Sequence, residues 1–413
     1  MNVMPGHHRV AVVGGGPAGL MAAEVLARAR VTVTVYDRMP TVGRKLQVAG
    51  RGGLNLTHSE PLDALLGRYG PARGRLRTAI ERFDNGALRR WCEDLGQSTF
   101  VGSSGRVFPT DLRSTTLLRA WLRRLDDLGV ELRTRHRWVG WNDSGALTFT
   151  DASGADVISE PDACVLALGG ASWPRTGSDG AWTVPMTQSG VMVAELRPAN
   201  CGFVVGWSEP FRTRFAGTPV KDVVVRHDGV LARGDLVITE HGIEGGPIYA
   251  LSASLRDAID TAGAAVVHIK VLPDASIDEL ETRLAKRRPK DSAATGLGRA
   301  GVAPVIVGLL REATGNRVPA DATELAALLM QLPVEVATPQ PMARAISTAG
   351  GIVLAAIDDR YMLRSRPGTF IAGEMLDWEA PTGGYLLQAC FSTGVAAAEG
   401  ALAWLEDPTN QRL

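Results

Sequence analysis

Near the N-terminus the apolar run Val10 to Val13 leads directly into Gly14-Gly15-Gly16-Pro17-Ala18-Gly19, and an alanine-rich stretch follows to about Ala29. A strand, a turn with spaced glycines and a helix, in that order, leave the chain few folds to choose from. Gly14 permits the tight turn, Gly16 lets backbone approach a pyrophosphate, and Gly19 lets the helix pack close to the strand. The helix N-terminus, with Pro17 and Ala18 in its first turn, offers free N–H groups and the positive end of its dipole to phosphates. A second strand, "VTVTVYD", ends in Asp37, where a carboxylate can accept bonds from ribose hydroxyls, and Arg38 follows it. A dinucleotide site is expected here.

The same glycine spacing recurs in "GLGRAG" at 296–301. It follows the charged, polar run "RRPKDSAAT" instead of a strand, so it lacks the required context and reads as ordinary glycines. A fused second nucleotide domain would need such a site.

Lys plus Arg and Asp plus Glu both total 44, so the formal net charge is zero. No field of one sign is available to attract nucleic acid or an anionic membrane. The four cysteines are far apart, with no C-x-x-C, which argues against a zinc ribbon, a dithiol pair or a secreted disulfide framework. No metal site is expected. The apolar runs read as too short for a bilayer, and "MNVMPGHHRV" runs straight into a strand without a signal-peptide pattern. A soluble, cytoplasmic protein is expected, with its oligomeric state left open.

After Asp37 comes "RMPTVGRKLQVAGRGGLNLTH". NAD does not need so long a Gly/Arg/Lys-rich segment; a cofactor with a polyol tail would use the extra clamp, with Arg44, Lys45 and Asn55 as candidates. Arg51 is placed either on phosphate or on a substrate carboxylate. "GVELRTRHRWVGW" reads as two strand pieces and carries Trp138 as a further candidate contact. "DACVLALGG" reads as a buried strand ending in Gly169-Gly170. Late in the chain, "GTFIAGE" reads as a strand ending in Gly373-Glu374. "TGGYLLQACFSTGVAAAEGAL" then reads as a helix opening on Gly383-Gly384, with Tyr385 next. Such a helix start, aimed at a flavin pyrimidine edge, would stabilise the negative charge of the reduced ring. These features select non-covalent FAD, with NAD(P)H as a possible transient donor.

The blocks "VVGGGPAGLMAA", "VGRKLQVAGRGGLNLTHSE", "LALGGASWPRTGSDG", "GDLVITEHGIEGGPIYALSA" and "FIAGEMLDWEAPTGGYLLQACFSTG" together resemble the BaiN/RdsA-type (YhiN-like) bacterial flavoproteins, often labelled aminoacetone-oxidase-like. The resemblance runs in order over nearly the whole chain. It implies a discontinuous Rossmann-like, two-dinucleotide α/β FAD-binding domain, an inserted mostly β domain and a small helical domain. The family's Gly-Gly-Gly-Arg-Cys-Asn-Val-Thr-Asn run reads here from Gly50 to His58. Leu54 replaces the cysteine, the arginine is displaced to Arg51, and Asn55 and Thr57 match. No thiol stands there to act beside the flavin.

The expected boundaries are 1–197 and 340–413 for the FAD-binding parts, 198–275 for the β-rich insert and 276–339 for the helices. Short β runs and turn signals mark the insert, and Ser or Asp residues open the helical stretches. "AKRRPKD" reads as an exposed helix end. His241 and Glu244, on a loop after a strand, are the candidate proton-handling pair. The expected activity is an FAD-dependent oxidoreductase moving a hydride between flavin N5 and a small or medium organic molecule. The alternative is a flavin-bound sensor or a nucleic-acid-modifying scaffold without small-molecule turnover.

Overall fold

The computed structural model describes residues 8–286 and 293–409. Strands β1 (Arg9–Val13), β2 (Thr32–Asp37), β3 (Glu131–Thr134), β4 (Ala163–Leu166) and β5 (Thr369–Ile371) form one sheet in the order β5-β4-β1-β2-β3. Every pairing in it is parallel. β1 and β4 are almost wholly buried, which is why they read as unbroken apolar runs and show no alternation. Since all five strands run the same way, the loops after β1, β2, β4 and β5 emerge on one edge, where ligands of open α/β sheets bind.

Helix α1 (Pro17–Arg28) joins β1 to β2, and α2 (Tyr385–Glu406) closes the unit. The two helices pack through small residues: a Cβ on Gly394 would lie 2.4 Å from the Ala18 carbonyl oxygen. A glycine inside a helix costs about 0.5–1 kcal/mol relative to alanine; here that cost is offset by the close approach it permits. By length and composition α2 is apolar enough to cross a membrane, contrary to the expectation that no run is long enough. Its small-residue face is buried in this core, as in the core helix of a globular unit.

The chain divides into two compact units, one of residues 1–197 with 347–413 and one of residues 198–346. The second unit holds a six-stranded antiparallel sheet, in the order Phe203–Val204, Gly242–Gly245, Val230–Thr239, Pro219–His227, Ala265–Lys270, Leu332–Val336. Helices Ile277–Ala285, Pro304–Ala313 and Ala322–Met330 belong to the same unit. The expected separation into a β domain and a helical domain is corrected, because both contribute to one core: Val225, Ile238 and Val267 cluster with Leu284, Leu310 and Leu329. The unit also ends later than expected, at Ile346. Its last strand went unread because Pro333 interrupts it; the strand sits at the sheet edge, where proline is tolerated.

The second glycine motif lies in and just after a short helix, Ala293–Arg299, and not at a strand-to-helix turn. Of the basic run 285–291, residues 287–291 fall outside the described residues.

Candidate functional site

The turn after β1 is shaped by its own packing. Gly14 has φ +110, a backbone region that favours glycine, and its N–H bonds the Tyr36 carbonyl at 2.8 Å. A Cβ on Gly19 would sit 1.9 Å from the Gly14 oxygen, so this glycine sets the helix–strand distance. A Cβ on Gly16 meets no protein atom within 4 Å. That open space lies at the N-cap of α1, where the N–H groups of Gly16, Ala18 and Gly19 bond no acceptor among the described residues.

Asp37 closes this end of the site. Its Oδ2 accepts the Gly15 N–H and its Oδ1 the Met39 N–H, both at 2.7 Å, leaving each oxygen a further lone pair for ribose hydroxyls. Burial pushes its carboxyl above the ordinary value, against the opposing pull of the two N–H groups and of Arg38 and Arg44. Arg38 is held by an ion pair with Asp179.

Three of the converging loops meet at one cluster. Lys45 Nζ bonds Glu374 Oε2 at 2.6 Å and Ser172 Oγ at 2.8 Å. Glu374 Oε1 accepts the Thr348 N–H at 3.1 Å, and Thr348 Oγ1 accepts the N–H groups of Ala171 and Ser172. Gly170 is packed so tightly here that a Cβ would meet Thr348 Oγ1 at 2.3 Å. Gly169, at φ +73, gives its carbonyl to Trp182 Nε1 at 2.8 Å. Gly373 has φ +76, and a Cβ on it would press on Ala18 at 2.8 Å, which ties the cluster to the nucleotide turn. Cys390 borders Glu374 and Lys45, but burial pushes its thiol up to about 12, so no thiolate is available.

Thr348 and Ser172 were missed in the sequence. Thr348 lies on the strand Ser347–Ile352, whose one signal is the pair Gly350-Gly351. A Cβ on Gly350 would lie 1.9 Å from the Glu195 oxygen.

At the start of α2, Gly384 is the N-cap with φ +97, pressed so close to Thr57 that a Cβ would lie 2.5 Å from its backbone. Thr57 Oγ1 bonds Gln388 Oε1 at 2.6 Å, fixing the 50–58 segment against the helix start. Gly383 also has positive φ. The Tyr385 side chain turns away into a cluster of its own: its ring stacks on His58 at 5.5 Å and Arg68 lies over it at 5.7 Å. Tyr385 can therefore offer a cofactor only backbone. The N–H groups of Tyr385, Leu386 and Leu387 have no acceptor among the described residues.

These features fit FAD. Two helix N-termini carry vacant N–H groups. Gly394, which packs on Ala18, lies nine residues after Tyr385, so at 1.5 Å per residue the α2 start is about 14 Å along the helix from that contact. An extended dinucleotide can span that interval. Beside it, Arg44 Nε and Asn55 Oδ1 are buried without a partner among the described residues, as atoms awaiting a polar ligand would be.

Other expected residues stand elsewhere. Trp138 is a core residue, edge-on to Trp141 at 4.9 Å. Glu244 lies within the strand Gly242–Gly245 and not on a loop, and pairs with Arg344 at 3.6 Å. His241 is exposed in the turn before that strand, and no ion pair joins it to Glu244. The side chain of Arg51 lies outside the described residues.

The sequence profile of the HI0933-like protein Rossmann domain matches residues 8–400. The chain belongs to this family. HI0933-like chains are FAD-dependent oxidoreductases on a Rossmann-like fold, and this chain is one of them. Similar proteins include a 3-dehydro-bile acid Δ(4,6)-reductase of Clostridium scindens, 25% identical over 95% of this chain and 99% of the relative. A ribosomal RNA dihydrouridine synthase of Haemophilus influenzae is 22% identical over 94% of this chain and 96% of its own. In fold, the chain is similar to a 3-ketosteroid Δ1-dehydrogenase of Sterolibacterium denitrificans solved with 1,4-androstadiene-3,17-dione. That match has a TM-score of 0.53 at 12% identity and covers 96% and 99% of the two chains.

Proposed function

We propose that this HI0933-like chain is an FAD-dependent reductase that adds hydrogen across an activated carbon–carbon double bond of an organic ring, with NAD(P)H as electron source. The observation that carries the cofactor part is the pair of helix N-termini with vacant N–H groups, one at Gly16 and one at Gly384. The direction of the reaction is supported by the two relatives, since a Δ(4,6)-reductase and a dihydrouridine synthase both add hydrogen to an unsaturated ring.

When bound and reduced by NAD(P)H, FAD would supply a hydride from N5 for one carbon of the double bond, and solvent or an acid would supply the proton for the other. Around it the protein has separate tasks. The α1 N-terminus and Asp37 hold the adenosine and pyrophosphate, and the Lys45–Glu374 pair locks the loops. The α2 start would stabilise negative charge on the reduced ring. His241 is the candidate proton donor, being exposed and in no ion pair among the described residues; Glu244 already has Arg344.

The balanced charge of the chain favours a small molecule over RNA. The test is anaerobic. Holoenzyme should bleach with NADH or NADPH and recover its colour with androst-4-ene-3,17-dione or cyclohex-2-enone. Recovery with uridine-containing RNA alone would replace the small-molecule reading, and recovery with no acceptor but oxygen would refute the reductase. His241→Ala turning over the best acceptor at the wild-type rate removes His241 from the proton path.

A further inference from the structure

Trp173 departs from two local backbone preferences at once. Its φ of 59 and ψ of 58 place it in the left-handed region, which an L-residue with a large side chain rarely adopts. It also precedes Pro174, whose ring disfavours helical backbone at the preceding residue. No hydrogen bond or ring contact of the indole compensates among the described residues. The residue is 38% exposed, and its ring has no cation contact there either. Among the described residues Tyr361 is the other aromatic residue at positive φ, and there the ring is buried and its hydroxyl bonds the Arg75 carbonyl.

The conformation at Trp173 is imposed from both sides. Upstream, Thr348 Oγ1 holds the N–H groups of Ala171 and Ser172, and buried Ser172 bonds Lys45. Downstream, the Trp173 carbonyl accepts both the N–H and the hydroxyl of Thr176 at 2.8 Å. Ser172 thus reaches in to the Lys45–Glu374 cluster, and the next residue, Trp173, stands partly exposed. Strain that surrounding structure over-determines, here at a partly exposed aromatic residue without a ring partner, is a feature of ligand clamps.

We propose that Trp173 is a specificity-determining residue whose indole stacks on the planar unsaturated ring of the substrate. The inference rests on the reductase reading for the substrate class. Aromatic faces favour such rings at low entropic cost, and stacking is sensitive to loss of the face.

The experiment compares wild-type, Trp173→Gly and Trp173→Phe holoenzymes. Binding to the oxidised, non-reacting enzyme is read by flavin difference spectra with androst-4-ene-3,17-dione, cyclohex-2-enone and uridine. Reoxidation of reduced enzyme by ferricyanide reports the flavin without a stacked ligand. Glycine adopts the left-handed region freely, so Trp173→Gly should keep or raise the thermal midpoint and retain its FAD. Its ferricyanide rate should stay within about twofold of wild type, and its Kd for the best ring probe should rise about tenfold, with Trp173→Phe in between. An unchanged Kd in Trp173→Gly overturns the proposal. A lowered midpoint with loss of FAD also overturns it, by showing a structural indole. Wild type that binds a ring probe without reducing it refutes the reductase alone, because the comparison of Kd values then still decides Trp173. Wild type that binds none of the three overturns both.

Discussion

A Cβ on Gly19 would stand 1.9 Å from the Gly14 oxygen, whereas one on Gly16 meets no protein atom within 4 Å. The two glycines of one motif therefore have separable functions. Gly19→Ala should destabilise the protein even without cofactor, since overpacking of this kind costs about 1–3 kcal/mol. Gly16→Val should leave the apoprotein as stable as wild type and abolish FAD retention, because the added branch occupies the space the pyrophosphate needs. Gly298→Val, in the helical motif, should leave the flavin spectrum unchanged. Thermal unfolding of apo and reconstituted samples separates the three, and a Gly16→Val protein that keeps its flavin would remove the dinucleotide from this turn. Gly14, Gly16, Gly19 and Asp37 were legible because the motif fixes local backbone and a local acceptor. Thr348, Ser172 and the true orientation of Tyr385 were not, because each acts on a segment more than a hundred residues away, at a distance set only by the tertiary fold.

At the scale of elements, the α2 start has two sides, one presenting vacant N–H groups and one anchored by Tyr385, Glu60 and Arg68. Charge placed at the first side should reach the flavin. Gly384→Asp is a poor probe, since φ +97 and the 2.5 Å approach to Thr57 strain any side chain there. Thr382→Glu avoids both problems. Helix-end charge effects of about 0.3–2 kcal/mol correspond to about 6–45 mV for a two-electron couple. The midpoint potential should fall by that much, because the added charge opposes the anionic reduced ring; an unshifted or raised potential would detach α2 from the flavin. On the anchored side, burial is the largest single influence on Glu60 and would raise it, but the pull of Arg68 together with Tyr385 and His58 outweighs burial and holds the carboxyl below its ordinary value of 4.5. A depressed carboxyl contributes stability that is present above that ordinary value and lost as pH falls through the lower folded one. Glu60→Gln should therefore be less stable than wild type at pH 7, with the difference vanishing in acid; equal stability at both ends of the scale would show the pair to be idle. The helix and its glycine start were visible in the sequence as a pattern. The anchor was not, since "THSE" and "GRYG" carry no periodic signal linking them to residue 385.

For the whole molecule, the sequence showed that the flavin fold is interrupted, but it divided the insert by secondary structure, whereas the chain divides by core. Strand residues such as Val225 and helix residues such as Leu310 share one cluster, distinct from the cluster built on β1, α1 and α2. Each unit therefore carries its own apolar interior, the minimum for independent folding. The junctions support a decisive excision. Met192 accepts the Val353 N–H and Asn200 accepts the Ile346 N–H, at 3.1 and 3.2 Å, so the entering and leaving segments run side by side in opposite directions. Adjacent strands lie about 5 Å apart, a gap that a hairpin loop of about two to five residues closes. Replacing residues 198–346 with such a Gly/Ser loop should give a soluble yellow protein. It should bind FAD within about tenfold of the wild-type affinity, about 1.4 kcal/mol, because no nucleotide-cradling residue is removed. Reoxidation by ferricyanide should survive, and reduction of ring enones should fall away if the insert carries substrate groups such as His241. Flavin content after gel filtration and stopped-flow reoxidation with both acceptors read the two effects separately. A soluble excised protein without flavin would show that the insert builds part of the cofactor site; one that still reduces the enone at the full rate would place substrate recognition entirely on the flavin unit.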